Sequence, residues 1–215
     1  MSHYEIHGVA SLPATPWRND QGLTRQIAVG HAEDGDTLCW RLSQADLQGD
    51  ADFSAFPGVE RVFTLMSTGP ITLSVEGETT WVTRGVSRRF PGEAEVSATL
   101  SEGRPEKALN LMVARGQARG EVQILSAAGS LTLPRHHLVA VLVLEGSLVL
   151  QDGRTVREME AILPTTRARS GVQARDGLAH HLGSVHAAGA GSVTVAAVQV
   201  LPRTARAIGS GPPAR

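Results

Sequence analysis

Two stretches concentrate the side chains best able to grip a small polar molecule. One is Pro16-Trp17-Arg18-Asn19-Asp20-Gln21-Gly22-Leu23-Thr24-Arg25-Gln26-Ile27-Ala28, and the other is Phe53-Ser54-Ala55-Phe56-Pro57-Gly58-Val59-Glu60-Arg61. Guanidinium groups offer forked donors to an anion, amide and hydroxyl groups orient it, and aromatic rings can wall a pocket around it. Both stretches lie beside β-strand patterns.

Other chemistries lack their residues. The chain has no Gly-rich phosphate loop of the P-loop or dinucleotide type and no Gly-x-Ser-x-Gly nucleophile elbow. Cys39 falls in an apolar strand pattern, where a buried, inert thiol is expected. His136 and His137 are adjacent, so in an extended strand they point to opposite faces and cannot chelate as a pair. His180, His181 and His186 lie among Gly183 and Gly189 and read as loop residues, solvated rather than metal-bound. Glu93 with Glu95, and Glu158 with Glu160, would share a face if extended, but their polar surroundings fit a solvated strand edge better than an acid/base pair.

Composition narrows the partners. With 215 residues, 41% of them hydrophobic and 19% charged, the chain can bury its own core. A formal net charge of -1 provides no field to gather nucleic acid or anionic lipid. Lys107 is the sole lysine, and such an arginine bias weakens any claim resting on arginine number alone. One cysteine excludes an internal disulfide, and Met1 to Ile6 lack the basic and apolar regions of a leader, so a cytoplasmic location is expected. The longest apolar run, Leu138 to Leu144, is far short of the roughly 18 residues of a membrane span.

The elements that must position these groups read as short strands with few helices. Strands are expected at Gln26 to Val29 and Thr37 to Ser43, joined across Asp34-Gly35, then at Arg61 to Met66, Ile71 to Val75, Thr80 to Thr83 and Leu109 to Val113. Further strands are expected at Val122 to Leu125, Leu138 to Leu144, Ser147 to Leu150, Ala161 to Leu163 and Val193 to Leu201. On the second of these, Leu38, Trp40 and Leu42 form an apolar face, with Thr37, Cys39, Arg41 and Ser43 on the other. The runs around Gly69 and Gly146 share one order, β run, glycine turn, β run, glycine, which implies a duplicated β unit. The halves would be 1–116 and 117–202, joined through Gly116 to Pro134, packed as one unit and able to exchange strands, with 203–215 as a tail.

The first stretch, with its companions, resembles the HutD/Ves family. Trp17, Arg18, Asn19, Gly22, Thr24, Arg25 and Ile27 match the family's N-terminal signature. Arg41, Ser43 and Ala45, then Phe53-Ser54 with Phe56-Pro57-Gly58 and Arg61, then Phe90-Pro91-Gly92-Glu93, then Leu109-Asn110 to Arg115-Gly116, follow in the family's order. Asp20 and Gln21 replace glycines of the signature, Gln26 a glutamate, and Ala108 an aspartate. The resemblance covers roughly the first 116 residues. It implies an all-β, cupin-like double-stranded β-barrel fold with two halves in one chain, and an association with histidine utilisation or stress responses.

Counting back from the Gly146 and Gly69 turns places Val139 and Val62 where metal-binding cupins carry ligands, so no metal and no other cofactor is expected. The expected function is metal-independent binding of a small anionic organic ligand, an intermediate of histidine breakdown being one example. Arg18, Arg41 and Arg61 would supply guanidinium donors, Asn19, Thr24, Ser43 and Asn110 would orient the ligand, and Trp17 and Phe56 would wall it. Two alternatives remain open at this point. One is a metal-free isomerase or lyase, for which no catalytic base stands out; the other is a homomeric scaffold, such as a homodimer joined through edge strands.

Overall fold

In the computed structural model, which describes residues 3–17, 20–32, 35–101, 103–165, 177–189 and 191–202, nearly every element is a strand. The first half contains β1 (Tyr4–Gly8), β2 (Ala14–Pro16), β3 (Gly22–His31), β4 (Leu38–Leu47), β5 (Ala51–Asp52), β6 (Val59–Leu65), β7 (Ile71–Val75), β8 (Glu78–Val82), β9 (Ser87–Pro91), β10 (Val96–Leu100) and β11 (Glu106–Ala114). The second contains β12 (Ala118–Ala127), β13 (Ser130–Leu131), β14 (Leu138–Glu145), β15 (Ser147–Val149), β16 (Thr155–Arg157), β17 (Glu160–Pro164), helix α1 (Gly177–Leu182), β18 (Val185–Ala187) and β19 (Val193–Pro202). Among the described residues no helix is long and apolar enough to cross a membrane.

These strands form four antiparallel sheets. Two lie inside, β2-β3-β4-β11-β6-β9 and β1-β17-β14-β19-β12, and each carries a four-stranded outer sheet, β5-β10-β7-β8 and β13-β18-β15-β16 respectively. From β6 to β11 the chain visits inner, outer, outer, inner, outer and inner sheets, and from β14 to β19 it repeats that itinerary. The turns at Gly69 and Gly146 fall at the same step, the first crossing from inner to outer sheet. The duplication expected from them is therefore present strand by strand. Each half is a pair of facing sheets of cupin type rather than one closed hydrogen-bonded barrel.

Three apolar layers hold the four sheets together. Leu47, Phe63, Leu65, Leu73 and Val96 fill the first half, and Val141, Val143, Leu148, Ile162 and Val195 fill the second. Between the inner sheets, Leu42, Leu109 and Leu111 from one side meet Leu142, Leu144, Ala196 and Val198 from the other. Period-two alternation explains how one strand serves two layers, because successive side chains of β4 and β11 leave the sheet on opposite faces.

Four expectations need correction. Gly116 to Pro134 is not a connector: β12 pairs with β19 along its whole length and β13 with β18. Leu38 does not join the apolar face of its strand, being 48% exposed at the strand's first position, where the inner core does not reach. His181 to Gly189 is not simply loop, since α1 and β18 occupy part of it. His136 and His137 precede β14, and His137 has φ 58, so the pair sits in a turn. Asp34 of the expected Asp34-Gly35 turn lies outside the described residues, as does the tail at 203–215.

Candidate functional site

Register places the candidate side chains before any contact is considered. In antiparallel sheets, residues directly opposite one another share a face. Val29, Arg41, Met112, Arg61 and Phe90 form one such row across β3, β4, β11, β6 and β9. Two residues along, Ser43, Asn110 and Phe63 form the next, and beyond it Thr24, Ala45, Ala108 and Leu65. Phe63, Leu65, Ala108 and Phe90 belong to the core of the first half, so all three rows face its interior. Arg41, Ser43, Arg61, Asn110 and Thr24, predicted from four separate sequence segments, thus converge on one sheet face.

Arg61 is 4% exposed, and among the described residues no carboxylate pairs with it. Its Cζ stands 5.1 Å from the Phe53 ring centroid, 5.7 Å from Phe56 and 5.3 Å from Phe90. Nη1 donates a long hydrogen bond, 3.3 Å, to the Ser54 carbonyl, while buried Nε has no acceptor. Burial first, and the charge of Arg41 second, push its pKa down to about 10. Arg41 is half-buried, with Cζ 5.5 Å from the Phe56 centroid and Nη2 3.4 Å from Met112 Sδ, and burial lowers its pKa as well.

Three other cations of this sheet contrast with these two, whereas Arg88, opposite Phe63, meets only the Ser87 carbonyl among the described residues, at 3.2 Å. Arg25 and Lys107 both bind buried Asp46, which also accepts from Gln44, and Arg89 binds Glu60. A buried cation without an anion is costly, whereas a ring face returns only about 2 kcal/mol even when desolvated. Asn110 adds a second unmet requirement, since it is 7% exposed and its Oδ1 has no donor. Beside it in register Ser43 is 1% exposed. Two guanidiniums, an amide oxygen and three phenyl rings together can hold a small anion that also carries a hydrogen-bond donor.

The remaining predicted residues brace this arrangement. Trp17 Nε1 donates to Thr24 Oγ1 at 2.8 Å, and the indole meets Phe53 edge-on at 6.0 Å between centroids. Phe56 is set between Arg41 and Arg61 by its N–H to the Gly92 carbonyl, 2.7 Å, and by the Pro57-Gly58 turn, whose Gly58 has φ 82. Arg18 and Asn19 lie outside the described residues. Phe53, Phe90 and Met112 were not singled out from sequence as lining residues; their signal was position within motifs already rich in arginine and aromatic residues.

On the face of β5, β10 and β7 turned away from the core, beside the turns after β7 and β9, is a cleft of about 700 Å³. Phe53 lines it, together with Asp52, Ser74, Glu76, Glu95 and Ser97. The equivalent interior of the second half has Val141, Val143, Val195 and Ala197, all buried. Its polar member, Gln199, is satisfied by Gln123 at 3.0 Å and the His136 carbonyl at 2.8 Å. His181 stacks on His3 at 3.9 Å between ring centroids, and His186 Nδ1 lies 3.0 Å from Ser130 Oγ. Among the described residues no three His, Cys, Asp or Glu side chains form a metal-binding group.

The HutD family model matches residues 9–178. The chain belongs to the HutD family. Over 121 residues it is 37% identical to Protein Ves of Citrobacter koseri, an alignment covering 56% of this chain and 63% of that protein. The alignment spans less than two thirds of that Ves protein, but Protein Ves of Cronobacter sakazakii, 34% identical over 149 residues, is covered to 80%, and with the family model this places the chain in the HutD/Ves group. HutD of Pseudomonas fluorescens superposes with a TM-score of 0.70 at 20% identity, covering 94% of this chain and 100% of that one. A cupin 2 conserved barrel domain protein of Leptotrichia buccalis gives a TM-score of 0.55 at 13% identity, covering 91% and 96%. At those identities the two structures establish the cupin fold for this HutD-family chain.

Proposed function

We propose that this HutD-family protein is a metal-independent small-molecule-binding protein that senses or sequesters an anionic catabolite related to histidine utilisation. The observation that carries this reading is the buried Arg61 guanidinium, unmatched by any carboxylate among the described residues and set beside a second under-solvated arginine. An incoming carboxylate would replace the hydration that Arg61 has lost and raise its pKa back toward the ordinary value. The histidine-utilisation setting is what family membership implies. The rows around Arg61 contain neither histidine nor carboxylate to act as a base, which favours binding over catalysis.

The test is a thermal-shift screen with short carboxylates and divalent metals, on the natural protein and Arg61→Met. Carboxylates should raise the natural protein's Tm by several degrees and leave the variant unmoved. Removing an unpaired buried charge should also leave ligand-free Arg61→Met at least as stable as the parent. A response to metals alone, or an undiminished carboxylate response in Arg61→Met, would refute the reading.

A further inference from the structure

Among the described residues, a few buried side-chain atoms have no hydrogen-bond partner, and register sorts them by face. Arg25 Nε and Gln44 Oε1 belong to residues that stand opposite one another, in the row that continues to Leu109 of the layer between the inner sheets. Arg61 Nε and Asn110 Oδ1 belong to the other face, toward the interior of the first half. That interior therefore holds one unmet donor and one unmet acceptor. Asn110 is 7% exposed and lies between Ser43 of β4 and Phe63 of β6, which makes it the diagonal neighbour of both Arg41 and Arg61. Between the two arginines, in their own row, stands Met112, whose sulfur already accepts from Arg41 Nη2.

A carboxylate held by the guanidiniums can satisfy Arg61 Nε, but it leaves Asn110 Oδ1 unmet, because an ionised carboxylate only accepts. The amide oxygen needs a proton from elsewhere on the same molecule. An ammonium would bring that proton with a positive charge, into rows that carry Arg41, Arg61 and, opposite Phe63, Arg88, and no carboxylate. The acidic cleft offers no compensation, since it lies on the outward face of β5, β10 and β7. A hydroxyl brings the proton without the repulsion. We infer that the ligand is a hydroxy acid, held through its carboxylate by Arg41 and Arg61 and selected through its hydroxyl by Asn110 Oδ1. This rests on the anion-binding reading above and adds the ligand's second group and the residue that recognises it. A ligand without the proton leaves a buried acceptor unpaired, and that difference separates the affinities.

Calorimetric titration with propanoate, lactate, 3-hydroxypropanoate, alanine and 3-aminopropanoate tests the inference. One of the two hydroxy acids, whichever spans from the guanidiniums to Asn110, should bind about five- to tenfold more tightly than propanoate, and both amino acids should bind more weakly than propanoate. In Asn110→Leu, similar in volume but without the acceptor, the ratio of hydroxy-acid to propanoate affinity should fall to near one. Both hydroxy acids within about twofold of propanoate, an amino acid binding as tightly as a hydroxy acid, or a ratio unchanged in Asn110→Leu would overturn the hydroxy-acid ligand while leaving anion binding intact. No binding by any of these acids would overturn both.

Discussion

A guanidinium that keeps its charge inside a protein needs something in place of the water it has lost. At Arg61 three ring faces and one long bond to a carbonyl supply part of this, and burial, with the Arg41 charge second, still pushes its pKa down to about 10. The depressed value sets the direction of a pH effect. Arg61 holds its proton through neutral pH and releases it as pH rises through about 10, so affinity for an always-ionised carboxylate should be flat from about pH 7 to about pH 9 and fall above that. Titrations in that range would check it; a decline centred near pH 7 would point to a histidine instead. Sequence made Arg41, Arg61 and Asn110 visible because each sits in a dense motif, but the roles of Trp17 and Thr24 were hidden. Their polar atoms satisfy each other, a pairing across β2 and β3 that no spacing rule reveals.

At the scale of elements, the start of β3 carries the bracing of the site. A Cβ added at Gly22 would stand 2.7 Å from the Asp46 carbonyl and 3.1 Å from the Trp17 ring, and the carbonyl is held in the β3–β4 ladder. Gly22→Ala should therefore push Trp17 off Phe53 and cost about 1–3 kcal/mol, read as a lower midpoint in urea, with weakened carboxylate binding. A variant that binds as well as the parent would separate Trp17 from the site. Strands that alternate or run apolar were legible, as in β7 and β14. Some short or charged ones were not: β9 reads Ser-Arg-Arg-Phe-Pro, with Phe90 its one buried side chain, and β16 and β18 have three residues each. Such strands are specified by the sheets they complete rather than by their own pattern.

Across the whole molecule, the layer containing Leu42, Leu111, Leu142 and Val198 is shared by both halves, and neither inner sheet can expose it without loss. Calorimetry should show one unfolding transition, and Leu142→Ala, at a site 1% exposed, should lower stability by about 2–5 kcal/mol without splitting it. Two resolved peaks would mean that the halves fold independently. The duplication was legible from the Gly69 and Gly146 turns, whereas the sharing of strands was not, because β1 pairs across a separation that local pattern cannot encode. Tyr4 to Gly8 pairs with Pro164 to Glu160 and, among the described residues, with no strand of its own half. During synthesis β1 therefore cannot meet β17 until residue 164 has left the ribosome, and the second half can finish its sheet only by reaching back to a strand made before the first half. Closing so long a loop is slow, which makes docking of β1 a late step on the folding path.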